Sequence, residues 1–156
     1  MATEQEIITF RRFWELTSQA NLFDEKLLKN DGCGEPADLV YEGQAYQITT
    51  GDGSYIGKIL SSVKEYPIDE AENRSKDRGL NKADVICDLL LPILAKKSLR
   101  ADSSIVLIVT LHNPVPFNID ELGDQLRIFS SNNQNLLNKW KVVWCVFSSL
   151  EYAQQI

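Results

Sequence analysis

Asp38 and Gln47 are the two side chains best placed by the sequence to do chemistry together. They belong to the stretch Glu35-Pro36-Ala37-Asp38-Leu39-Val40-Tyr41-Glu42-Gly43-Gln44-Ala45-Tyr46-Gln47-Ile48-Thr49. Glu42-Gly43 suits a two-residue β-turn, because glycine supplies the positive φ that such turns require. With that turn, Tyr41 faces Gln44, Val40 faces Ala45, Leu39 faces Tyr46 and Asp38 faces Gln47. Directly opposed side chains stand about 5 Å apart at Cβ. A carboxylate beside an amide carbonyl offers two hard oxygen ligands, as Mg2+ requires. An Asp at a strand start also serves simply to end a turn, by bonding nearby backbone.

Strand alternation puts Asp38, Val40, Ala45, Gln47 and Thr49 on one small, polar face. Leu39, Tyr41, Tyr46 and Ile48 take the other, which should pack on helices. Asp52, in the turn Gly51-Asp52-Gly53-Ser54, joins the metal if the chain leaving the hairpin curls back. That turn lacks the Gly-x-x-x-x-Gly-Lys-Ser/Thr pattern of a phosphate loop. His112 is the only histidine. It closes a buried strand, where α/β sheets often place sites, but it has no nucleophile partner for a triad.

The elements that must hold these residues follow from periodicity. Residues 4–20 read as a helix with Ile7, Ile8, Phe10, Phe13, Trp14 and Leu16 on a broad apolar stripe. Residues 24–29 read as a short helical piece, and 30–34 as a loop. Residues 55–63 have helical spacing, with a third strand as the alternative, and Pro67 ends that element. Residues 81–99 form a longer helix carrying Ile86, Leu89, Leu90, Ile93 and Leu94, with a kink expected at Pro92. Ile105-Val106-Leu107-Ile108-Val109-Thr110-Leu111 is a continuous β-branched run, expected of a central strand. Asn118 with Glu121 resembles a capping box that opens the next helix, and residues 141–147 make a last buried strand. This order predicts one α/β domain over residues 1–156, a two- or three-layer sandwich with a mixed central sheet.

Composition narrows the function classes. The 156 residues are 44% hydrophobic and 24% charged, as in an ordinary globular protein. No apolar run approaches the roughly 20 residues of a membrane-spanning helix, so no membrane partner is expected. The first residues lack a signal peptide's basic start and apolar core, so a cytoplasmic location is expected. Cys33, Cys87 and Cys145 form no CxxC pair, and the last two sit in apolar runs as core residues. The net charge of −6 is not that of a dedicated nonspecific nucleic-acid binder, although a local basic groove is compatible with it. Lys96, Lys97 and Arg100 cluster at the end of the longer helix, where cations complement the helix dipole.

Pro36-Ala37-Asp38 followed by Gln47-Ile48-Thr49, set in this order of elements, resembles the PD-(D/E)xK or restriction-endonuclease-like nuclease superfamily. The resemblance covers roughly residues 4–112. In that family the first acid opens the middle strand of a β-meander. The second acid and a lysine lie two residues apart on the next strand. Gln47 stands at the second acid's position, as in some branches, and Thr49 stands where the lysine would be. The resemblance implies a restriction-endonuclease-like core and Mg2+-dependent endonuclease chemistry on DNA. It implies Asp38 and Gln47 as metal ligands and Lys58 or Lys64 as a migrated replacement for the lysine. Glu15 or Glu6 on the first helix is implied as an extra ligand. Two functions stay open. One is a metal-dependent nuclease with a degenerate site. The other is a non-catalytic module on the same fold that binds nucleic acid, a protein partner or a second copy of itself. A third class, an unrelated α/β binding domain, lies outside the resemblance.

Overall fold

Helix α1 (Glu4–Thr17) begins with a reciprocal cap. Glu6 N–H donates to Thr3 Oγ1 at 3.2 Å, and Thr3 N–H donates to Glu6 Oε2 at 2.7 Å. Two donors at the helix start are thereby satisfied by side chains a turn apart. The structure, a computed structural model, describes residues 2–18, 21–51, 82–111, 119–147 and 151–156. The expected element at 55–63, Pro67, His112 and the Asn118 cap lie outside these residues.

The segment after α1 is not the short helix its composition suggests. Residues Glu25–Leu27 make one 3-10 turn, and Leu28–Lys29 form a two-residue strand, β1. β1 pairs antiparallel with β2 (Leu39–Tyr41), Leu28 opposite Tyr41 and Lys29 opposite Val40. Asp24 N–H donates to the Tyr41 hydroxyl at 3.0 Å, so tertiary contact with the hairpin overrides local propensity here. β2 and β3 (Gln44–Thr50) pair with Tyr41 opposite Gln44, Val40 opposite Ala45 and Leu39 opposite Tyr46, the register a two-residue turn dictates. Both turn residues have positive φ, 48° at Glu42 and 80° at Gly43, as a type I′ turn requires.

Helix α2 (Lys82–Lys97) follows and continues through Pro92 before a 3-10 turn at Ser98–Arg100. Strand β4 (Val106–Leu111), helix α3 (Ile119–Asn132), a short helix α4 (Gln134–Leu137) and strand β5 (Val142–Phe147) come next. A strand the sequence did not reveal, β6 (Tyr152–Gln155), pairs antiparallel with β5. The sheet is mixed and six-stranded, with the strands side by side in chain order. β3, β4 and β5 are parallel, with Ile48 beside Ile108 and Ile108 beside Trp144.

Chain order in the sheet decides where the helices go. The steps β3-α2-β4 and β4-α3-β5 advance in the same direction, so crossovers of one hand put both helices on one face. There Ile86, Leu90, Leu94, Leu122 and Leu126 bury Leu107, Val109, Val143, Cys145 and Phe147. On the opposite face α1 packs Phe10 and Phe13 against Leu39, Tyr41, Tyr46, Ile48, Val106 and Ile108. The molecule is therefore an α/β sandwich of three layers. Ile8, expected in the buried stripe of α1, is 54% exposed. Cys145 is fully buried, and burial pushes its thiol up to about 12, so it stays protonated and packs as a hydrophobe.

The α1 face is held by aromatic rings. Phe10 is 0% exposed, and its ring centre lies 4.8 Å from Tyr46 and 5.3 Å from Tyr41. Phe10→Ala is expected to lower stability by about 3–5 kcal/mol, the usual cost of emptying an aromatic site. Urea unfolding followed by tryptophan fluorescence would measure it. A loss below 1 kcal/mol would mean that α1 is held by something other than this cluster.

Candidate functional site

Asp38 precedes the first paired residue of β2, in a bend of the backbone. Its N–H donates to Tyr46 O at 2.8 Å, while its Oδ2 accepts from Ile48 N–H at 2.7 Å. Asp38 therefore straddles Gln47, touching the backbone on either side of it. The carboxylate acts where the next ladder carbonyl would act, and it satisfies an amide that the end of β2 would otherwise leave open. The turn-ending role expected of an Asp at a strand start is thus real, and it engages one of the two carboxylate oxygens.

Gln47 is buried, at 7% exposure, and its Oε1 has no hydrogen-bond partner. Tyr46 and Ile48 pack towards α1, so alternation turns Gln47 and Thr49 towards the α2 face. A buried amide oxygen left unpaired costs about 1–3 kcal/mol, which a cation or a trapped water would offset. Gly51 N–H donates to Thr110 O at 2.8 Å and prolongs the β3–β4 pairing. A Cβ at Gly51 would come within 2.4 Å of Leu111 Cδ2 and 3.5 Å of Ile93 Cδ1, so strand and helix close tightly just beyond the candidate site.

Burial pushes the Asp38 carboxyl up from its ordinary value of 3.8. The Ile48 amide opposes this, the charge of Glu6 adds to it, and the charge of Lys97 opposes it. Two residues are thereby assigned to the surroundings of Asp38. Of the two α1 glutamates that the resemblance singles out, Glu6 is the one whose charge bears on Asp38. Glu15 is exposed and paired with Arg11 at 3.2 Å, away from the site. The reason is helical geometry: nine positions at about 100° each put Glu15 roughly half a turn round from Glu6. The second residue is Lys97, at the end of α2. The sequence marks it only as one of three cations complementing a helix dipole. What brings it to Asp38 is the crossover, which returns the chain to the start of β4. Lys58, Lys64 and Asp52 lie outside the described residues.

Past Lys97 the chain makes a shallow hollow of about 610 Å³ lined by Glu35, Pro36, Arg100, Ala101 and Asp102. It lies between the approach to β2 and the exit of α2. Arg100 sits 3.8 Å from Glu35 in an exposed pair that adds little stability. Asp102 is held below the usual carboxylate range by the hydroxyl and N–H of Ser104, a turn that leads into β4. Among the described residues no three His, Cys, Asp or Glu side chains converge. Asp38 and Gln47 each carry side-chain oxygens, the donor type that Mg2+ takes. Mg2+ tolerates so sparse a set, since it keeps several waters and uses one or two carboxylates. Comparison with protein-family models, curated proteins and solved structures returns no match.

The raised pKa of Asp38 has a definite sign for stability. A carboxyl that holds its proton more tightly when folded loses stability as pH rises from the ordinary value through the raised one. The loss persists at neutral pH. Asp38→Asn keeps an acceptor for Ile48 and removes the charge, so it should match or exceed the wild type in stability at pH 7. Asp38→Ala removes the acceptor and should cost about 1–2 kcal/mol. Urea unfolding at pH 4 and pH 7 separates these effects. An Asn variant much weaker than wild type at pH 7 would contradict the desolvation account.

Proposed function

We propose that this chain is a nuclease-like domain of restriction-endonuclease type whose degenerate site holds Mg2+ at Asp38 and Gln47 and acts on the phosphates of DNA. The observation that carries the proposal is the buried, unpartnered amide oxygen of Gln47, the residue whose two chain neighbours both bond to Asp38. When bound, Mg2+ polarises a phosphate oxygen and acidifies a water. Asp38 supplies the charged ligand through the oxygen that Ile48 leaves free. Gln47 supplies the neutral one. Thr49 offers no positive charge, so Lys97 takes the role of stabilising charge on the phosphate. Lys97 ends α2 and Arg100 ends the 3-10 turn that follows it, so the two cations are close enough in the chain for successive contacts to a phosphate backbone. Lys58 and Lys64 remain candidates for the same role.

A second reading keeps the site and drops the chemistry. Thr49 in place of lysine and the net charge of −6 favour a non-catalytic module that binds nucleic acid, a protein partner or a second copy. Calorimetry with Mg2+ and Mn2+, together with cleavage assays on single- and double-stranded DNA, tests both readings. Saturable metal binding is expected, lost in Asp38→Asn and weakened in Gln47→Leu. Gln47→Leu should also raise stability by about 1 kcal/mol, since it removes an unpaired buried oxygen. Lys97→Ala should slow any cleavage about 100-fold while sparing metal binding. Metal binding without cleavage selects the non-catalytic reading. No saturable binding of either metal rejects the site altogether.

A further inference from the structure

A second site lies on the opposite face of the sheet. Between α1 and the carboxyl ends of the parallel strands is a pocket of about 350 Å³, walled by Gln5, Ile8, Thr9 and Arg12 of α1. Its other described walls include Thr50 at the end of β3, Thr110 of β4 and Val146 of β5. Alternation explains the set, since Ile48, Ile108 and Val146 pack towards α1 and their neighbours two along point the same way. The pocket is roomy because α1, 14 residues long, is the one helix among the described residues on this face. It lies at the carboxyl edge of parallel strands, where α/β sheets commonly bind ligands.

Its chemistry is one-sided. Arg12 is the one charged side chain among the described residues that line it, in a protein of net charge −6. Every other polar group named on its wall is a hydroxyl or an amide, able to donate. Thr110 Oγ1 is buried and has no hydrogen-bond partner. Arg12 is engaged by the carboxylate of Glu151, whose side chain is 71% exposed. Glu151 holds that position from a backbone φ of 50°, a region that residues other than glycine seldom occupy. An exposed pair of this kind holds its partners weakly, so an incoming anion displaces Glu151 readily.

We propose that this pocket binds a small molecule bearing an oxyanion, a phosphate or a carboxylate. Its charged group pairs with Arg12 in place of Glu151 and accepts from Thr110 Oγ1. A volume of about 350 Å³ is at the small end of ligand pockets, which suits a small metabolite and not a polymer. Nothing in this proposal depends on a metal at Asp38, so the measurement is made without divalent metal.

The test is NMR titration of the full chain with inorganic phosphate and, separately, with succinate, at an ionic strength held constant with chloride. Saturable shifts centred on residues 5–12, 50 and 110 are expected for at least one of the two, and the tighter probe identifies the charged group. Arg12→Gln should weaken binding about tenfold or more, the usual effect of losing a charge-assisted hydrogen bond. Thr110→Val should weaken binding while leaving the thermal midpoint of the free protein unchanged or raised, because its hydroxyl bonds nothing. Glu151→Gln should tighten binding by removing the internal competitor. If Arg12→Gln does not fold, Thr110→Val and Glu151→Gln decide. Shifts that fail to saturate with both probes in the wild type and in Glu151→Gln overturn the proposal. Binding that none of the three substitutions alters overturns it equally.

Discussion

The ring of Phe10 is the contact on which the arrangement of this molecule turns. It meets Tyr41 of β2, Tyr46 of β3, Phe13 and Trp14 of its own helix, and Phe23 of the segment that follows. One side chain thus fixes α1 to two strands and to the chain leading into β1. Phe23 in turn stacks on Tyr41 at 5.3 Å, and the Tyr41 hydroxyl takes the Asp24 amide. The hairpin that carries Asp38 and Gln47 is therefore clamped from the α1 side. The same clamp sets Glu6 close enough for its charge to bear on Asp38.

Asp38 illustrates how one side chain serves two demands that pull against each other. The sheet needs an acceptor for the Ile48 amide where β2 begins, and the carboxylate provides it. Burial at that place disfavours the charge that makes a carboxylate a metal ligand. After burial and the Ile48 amide, Glu6 raises that penalty and Lys97 lowers it, so helices on opposite faces of the sheet both bear on the ionisation of Asp38. A half-buried carboxylate held in this way costs the fold stability at neutral pH.

What the sequence disclosed and what it hid follow one physical rule. Features fixed by local chemistry were legible: the turn at Glu42-Gly43 and the register it imposes, the buried run of β4, the apolar stripe of α2. The mixed sheet followed from their order. Features created by tertiary contact were not. β1 is two residues long and carries no period to read. β6, with Gln154 and Gln155, has little intrinsic preference for a strand and is held by its pairing with β5. The sequence offered Glu6 as an extra ligand and Lys97 as a dipole partner; the structure makes Glu6 a helix cap as well. Their nearness to Asp38 comes from how the helices dock. Glu15, an equally plausible glutamate by type, faces solvent because of its phase on the helix.

The strand order also bears on how the chain reaches its native state. Most pairings join segments adjacent in sequence: β1 with β2, β2 with β3, β5 with β6. The β3–β4 pairing, with Tyr46 beside Val106, instead joins segments far apart in sequence. Closing the chain between them costs chain entropy before any contact repays that cost, and such non-local pairings govern folding rates. That pairing is what joins α1 and the hairpin to the strands β4 to β6. Asp38 lies before the closure in the chain, whereas Lys97 lies within the segment it closes. The electrostatic environment of Asp38 therefore depends on the least local pairing of the sheet.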